Sequence, residues 1–130
     1  MSSYAVIESG KYNVLALGHV ADDFSTTFPA LTFLQTLASS AQYGASAKGF
    51  KKLFQRYADG GRSKLTAELF HEVDKDKGIW EFVKGDLRLF CFVIGNNVIL
   101  TNGTIKKSQK VDQAEVSIAI RCKAQFRLNH

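Results

Sequence analysis

Apolar and polar residues follow two different periods along this 130-residue chain, one of two residues and one near 3.6, which together predict a sheet with helices packed on it. The pattern is densest from Ile79 to Lys110. Ile79 to Lys84 is rich in β-branched and aromatic residues and stops at Gly85-Asp86, a pair suited to a two-residue hairpin turn. That turn sets a register with Lys84 opposite Leu87, Phe82 opposite Leu89 and Trp80 opposite Cys91, so one face of the ribbon is apolar apart from Lys84 at its rim. The other face carries Ile79, Glu81, Val83, Arg88, Phe90 and Phe92. It is too apolar to lie in water, so a helix, a nucleic acid or a partner chain is expected to cover part of it. The second run, Leu87 to Ile94, ends at Gly95-Asn96-Asn97, residues that tolerate positive φ, and a third run from Val98 to Ile105 completes an antiparallel meander.

Upstream, Tyr4 to Glu8 and Tyr12 to Gly18 read as strands around a tight turn at Ser9-Gly10-Lys11. The apolar block Val14 to Leu17 suits an interior strand, whereas the first run reads equally as a frayed edge. Ser25-Thr26-Thr27-Phe28-Pro29 marks a helix start, after which Ala30, Leu31, Leu34, Leu37, Ala38 and Ala41 fall at helical spacing. A break near Tyr43-Gly44 precedes a second helix, roughly Ser46 to Ala58. Its face of Ala47, Phe50, Leu53, Phe54 and Tyr57 is predicted to be buried, with Lys48, Lys51, Lys52, Gln55 and Arg56 pointing away, and Gly60-Gly61 ends it. Leu65 to Val73 fits either a short helix or an irregular cover over the core, and Asp74 to Gly78 reads as a solvated turn. Asp112 and Glu115 have capping-box spacing, which starts a third helix at about residue 113 that runs to about Phe126 with Val116, Ala119, Ile120 and Ala124 on one side. The tail Arg127 to His130 is expected to be untethered. The fold class is therefore α+β: a small antiparallel β-meander packed with two N-terminal helices and one C-terminal helix, in one domain over residues 1–130.

Composition narrows the function classes. The 45% apolar and 22% charged content is that of an ordinary globular chain, which excludes the disordered and fibrous classes. No apolar run approaches the ~20 residues of a membrane span, and the N-terminus lacks a basic start followed by an apolar block, so a cytoplasmic protein is expected. Cys91 and Cys122 have no metal-site spacing and read as small buried hydrophobes. The net charge of +5 is uneven: residues 48–64 carry six bases against one acid and residues 77–130 nine against four, while residues 65–76 carry one against four. Two basic segments separated by an acidic one suit an anionic partner, either nucleic acid or an acidic protein. The closing cluster Lys106, Lys107, Ser108, Gln109, Lys110 lies between a strand and a helix N-terminus, where backbone N–H groups and the helix dipole favour phosphate, although Asp112 competes as the local cap.

The order of elements and three stretches of sequence resemble the RelE/ParE superfamily of bacterial toxins, in particular its HigB-like, phage-associated branch. Gly78-Ile79-Trp80-Glu81-Phe82 is similar to that branch's glycine, aliphatic, aromatic, Glu, apolar signature. Leu87-Arg88-Leu89-Phe90-Cys91-Phe92 is similar to its next strand, and Val98 to Lys110 to its apolar strand, glycine and KKxxK loop. The resemblance covers residues 78–124 well and the N-terminal half by element order. It implies the toxin of a type II toxin–antitoxin pair, a ribosome-dependent messenger RNA endoribonuclease that needs no metal or cofactor. In such enzymes the ribose 2′-hydroxyl attacks the adjacent phosphate while basic side chains stabilise the charge that develops.

Carried over residue by residue, the resemblance makes Arg88, Lys106 and Lys107 catalytic, with Arg88 on the scissile phosphate. Lys110 and, at the hairpin tip, Lys84 would contact phosphate, and the basic helix face with Lys51, Lys52 and Arg56 is a second RNA-binding candidate. The implied partners are messenger RNA on the ribosome and a cognate antitoxin, of helix-turn-helix type and encoded next door, with no membrane. The chain departs from the branch at Val83, where an arginine is common, and at Val111-Asp112, where a proline is common. No histidine or tyrosine stands near the loop as an obvious general acid or base; His71 could approach the site from the segment of undecided structure, although a lone histidine there is more often structural or exposed. Two other functions fit the same resemblance: a ParE-like inhibitor of DNA gyrase without nucleolytic chemistry, and a relative that keeps the RNA-binding face without activity.

Overall fold

The computed structural model of the chain describes residues 2–110 and 112–130. In chain order the elements are β1 (Ser2–Ser9), β2 (Asn13–Val20), β3 (Thr26–Thr27), α1 (Pro29–Ala38), α2 (Gly44–Gly60), a 3₁₀ turn (Gly61–Lys64), β4 (Phe70–Asp74), β5 (Ile79–Lys84), β6 (Leu87–Ile94), β7 (Asn97–Ile105) and α3 (Gln113–Asn129). They form a seven-stranded sheet in the order β1-β2-β7-β6-β5-β4, with β3 beside β2. All pairings are antiparallel except β2 with β7, which run parallel and join the N-terminal hairpin to the meander. Parallel neighbours need a long crossover, and here it contains α1, α2 and the first strands of the meander. β2 is an interior strand covered on both sides, which is why Val14 to Leu17 is apolar without alternation.

Each face of the sheet has its own core. On one side α1 and α2 bury Phe50, Leu53, Phe54 and Tyr57 against Phe70, Phe82, Leu87, Leu89, Cys91 and Leu100. On the other, α3 lays Val116, Ala119, Cys122 and Phe126 on Leu15, Leu17, Ile79, Phe90, Phe92 and Ile99. The face of the β5–β6 ribbon that is too apolar for water is thus covered by a helix of the same chain. The expected register holds throughout: Trp80 pairs with Cys91, Phe82 with Leu89 and Lys84 with Leu87. Gly85, at φ +57, takes the positive-φ position of the turn.

Several local expectations are corrected. The undecided segment ends in β4, an edge strand that pairs Phe70 with Phe82 and His71 with Glu81, so the meander has four strands. The strand expected at Tyr4 to Glu8 is present and extends to eight residues, so the frayed-edge alternative does not hold. α1 stops at Ala38 and leaves Ala41 exposed, because Ser40 Oγ accepts from the backbone of Gln42 and Tyr43 and turns the chain. Its N-cap is Phe28, without a side-chain bond. On α3 the packed stripe takes in Cys122 and Phe126 while Ala124 is exposed. The tail is tethered: His130 stacks on Phe126 at 4.3 Å between ring centres, and its Nε2 is 3.1 Å from Ser2 Oγ. Val111, where the resemblance expects a proline, lies outside the described residues.

A bulge in β7 positions the site. Leu89 pairs with Gly103 but Cys91 pairs with Leu100, so β7 spends an additional residue at Thr101-Asn102. Thr101 Oγ1, with one proton to donate, lies 2.7 Å from Asn102 Oδ1 and 3.2 Å from Phe90 O, and Asn102 Nδ2 donates to Glu115 O (3.0 Å) and Oε2 (2.9 Å). Past the bulge the two-residue alternation is inverted. Thr104 now stands beside Arg88 on the α3 face, and Gly103 turns to α1, where the Phe33 ring lies against it.

Candidate phosphate-binding site

Arg88 is the second residue of β6, immediately after the Gly85-Asp86 turn, and its side chain is 15% exposed. Its Nη1 donates to Gly85 O at 2.7 Å and to Leu87 O at 3.1 Å. Both bonds leave from one nitrogen, so the edge formed by Nε and Nη2 is not spent on the backbone. Nε is buried and has no hydrogen-bond partner among the described residues. Glu81 Oε1 stands 3.7 Å from it, an ion pair beyond hydrogen-bond length. A buried guanidinium N–H without a partner is costly, and the Glu81 carboxylate beside it offsets part of that cost.

Glu81 comes from the neighbouring strand β5 and is itself buried, with its side chain 10% exposed. His71, opposite it on β4, places Nε2 at 2.9 Å from Glu81 Oε1 and Nδ1 at 2.7 Å from Ala67 O. Both ring nitrogens therefore face oxygen.

Glu81 and Arg88 border a cavity of about 240 Å³, together with Thr104, Lys106, Lys107, Lys110 and Asp112. A shallower hollow of about 450 Å³ shares Arg88, Lys106 and Lys107 and continues to the turn at Asp86. The lysine loop is tied to that turn, since Lys106 N donates to Asp86 O at 2.7 Å. At the far wall Asp112 caps α3, accepting from Glu115 N at 3.2 Å. Only half of the capping box is made, because the Glu115 carboxylate reaches Asn102 instead. The cavity thus gathers four cations, Arg88, Lys106, Lys107 and Lys110, against two carboxylates. One of those carboxylates is committed to a helix end and the other to His71.

The structure brings together Arg88, Lys106, Lys107 and Lys110. Lys84 is on the opposite face of the ribbon, with its stem across Gly49 of α2, and Lys51, Lys52 and Arg56 are exposed on the outer side of α2 beyond the sheet. The Arg62 guanidinium covers the Trp80 ring at 4.8 Å from its centre, away from the cavity. Sequence reasoning missed the Glu81–His71 pair. A signal was present for Glu81, which the hairpin register puts on the same face as Arg88, but none identified the strand that carries His71. Both cysteines are buried, and burial pushes their thiols up, Cys91 well above the usual range. Among the described residues no helix is long and apolar enough to cross a membrane.

A seven-stranded, mostly antiparallel sheet with three helices, carrying a cationic cavity at the end of its meander, is compatible with the RelE-like toxin fold. Residues 39–124, more than half of the chain, match the family described as Phage derived protein Gp49-like (DUF891), and the chain belongs to that family, a RelE-like toxin family of the toxin–antitoxin type. No curated protein matches the chain.

Proposed function

We propose that this protein is the toxin of a type II pair, close to the HigB-like branch, and that it cuts messenger RNA on the ribosome. The observation that carries this reading is Arg88, whose guanidinium is pinned by two backbone carbonyls at the wall of a cavity lined by lysines. Two parallel N–H groups on a planar guanidinium match two oxygens of a phosphate, a geometry an ammonium does not reproduce. The carbonyls of Gly85 and Leu87 fix the plane beforehand, so little reorganisation is needed as charge builds on the phosphorane-like transition state. Lys106 and Lys107 act on the same charge, and Lys110 and the hollow towards Asp86 hold the flanking phosphates. An antitoxin supplies the matching negative charge when the toxin is silent, in keeping with the family.

The test is a reconstituted translation reaction with messenger ends mapped by primer extension, beside a ribosome-free control and a gyrase assay. Discrete cuts within translated codons support the proposal. Intact messenger with inhibited gyrase moves the protein to the ParE-like function, and silence in both assays leaves an RNA-binding relative without activity.

A further inference from the structure

We infer that Glu81 receives the ribose 2′-hydroxyl beside the scissile phosphate and takes its proton, so that the site selects RNA over DNA; this rests on the phosphate reading of Arg88. A phosphate bound in this cavity against the Arg88 guanidinium lies next to Glu81, because both side chains border the cavity and Oε1 is only 3.7 Å from Nε. Two anions that close repel unless a donor hydrogen sits between them. The 2′-hydroxyl, on the carbon adjacent to the 3′-phosphate, is the donor that an RNA backbone offers at that place and a DNA backbone lacks.

The other groups around the cavity do not fill this role. Lys106, Lys107 and Lys110 are cations that donate. Asp112 spends Oδ1 on the first turn of α3, and its Oδ2 is 3.5 Å from Thr104 Oγ1. Glu81 is held through Oε1 by His71 and borders the cavity beside Arg88. His71 does not border the cavity, so it acts as a positioning residue behind the carboxylate. In the step, Glu81 Oε2 removes the proton from O2′, the O2′–P bond forms and the P–O5′ bond breaks. The leaving O5′ takes a proton from a loop lysine ammonium, which regains it from water. The products are a 2′,3′-cyclic phosphate and a 5′-hydroxyl.

Glu81→Gln keeps the shape and the contact with His71 while removing the basic oxygen. In the full-length protein it is expected to lower kcat for messenger cleavage on ribosomes by about 10²- to 10⁴-fold with KM unchanged or lower, the range of a lost general base. In a competition assay with a short oligoribonucleotide and its deoxy counterpart, wild type prefers the ribonucleotide and Glu81→Gln loses that preference. His71→Asn lowers kcat less and keeps the preference, which separates positioning from contact. A Glu81→Gln protein that cleaves at the wild-type rate, or that keeps the wild-type ribose preference, overturns the inference. If Glu81→Gln does not fold, Glu81→Asp takes its place: it retains the charge one methylene back and is expected to fall between the two, and wild-type cleavage by it overturns the inference equally. If wild type cleaves nothing, the ribonuclease reading fails, and the ribose preference of wild type against variant still decides whether Glu81 meets the 2′-hydroxyl.

Discussion

Arg88→Lys separates charge from geometry at the centre of the site. Lysine keeps the positive charge beside Glu81, so the carboxylate is not left alone, and the Gly85 carbonyl lies on an exposed turn where water replaces a lost donor. The cost to folding is therefore about 1 kcal/mol, that of one ordinary hydrogen bond. Function is affected far more. The ammonium cannot donate to both backbone carbonyls and also present two parallel N–H groups to a phosphate, so at least one charge-assisted bond is lost. In the ground state that bond is worth about 1.5–3 kcal/mol. In the transition state a missing preorganised donor costs about 2.7–4 kcal/mol, or roughly 10²- to 10³-fold in kcat. Arg88→Ala adds loss of the charge and is expected to abolish toxicity, with the fold kept because Glu81 retains His71. The assay is single-turnover cleavage of ribosome-bound messenger, read together with urea unfolding of each variant. Arg88→Lys cleaving within about threefold of wild type, under 1 kcal/mol in the barrier, refutes the bidentate role.

Replacing Lys106 and Lys107 together by alanine is expected to abolish messenger cleavage while the unfolding free energy stays within about 0.5 kcal/mol, because the loop lies at a solvated edge; toxicity assays and denaturation measured on the same protein check both halves. Gly103→Ala drives a methyl into the Phe33 ring, whose nearest atom is 2.5 Å from the new carbon, and is expected to cost about 1–3 kcal/mol in urea unfolding by forcing α1 off β7. Burial, then the neighbouring Cys91 and Tyr12, raise the Tyr57 phenol from 10.0 to about 12. The folded state therefore holds that proton more tightly than the unfolded chain, so the group's contribution to stability is complete below pH 10 and is lost as pH rises towards about 12. Tyr57→Phe is expected to flatten the fall of unfolding free energy over that window.

What could be read before the structure was local. The Gly85-Asp86 turn dictates its own register, so the pairing of Trp80, Phe82 and Lys84 and the shared face of Glu81 and Arg88 follow from neighbouring residues. The start of α3 follows from Asp112 and the residue three positions on, and the buried face of α2 from its spacing. What escaped reading was held by distant partners. β4 is short, charged and irregular at Glu72 to Asp74, and becomes a strand only because β5 offers an edge. His130 is tethered because Ser2 and Phe126 are brought to it.

The sequence by itself determined the meander, its helical cover and the basic character of its last loop, because periodicity, turn chemistry and caps act over a few residues. Only the tertiary structure decided which basic groups meet. The parallel pairing of β2 with β7, residues more than 80 positions apart, sets the order of the sheet. The bulge at Thr101-Asn102, held by Phe90 and Glu115, inverts the last turn of β7 and brings Thr104 alongside Arg88 at the cavity shared with the lysine loop. No local pattern encodes either, because each depends on hydrogen bonds between segments that come together only on folding.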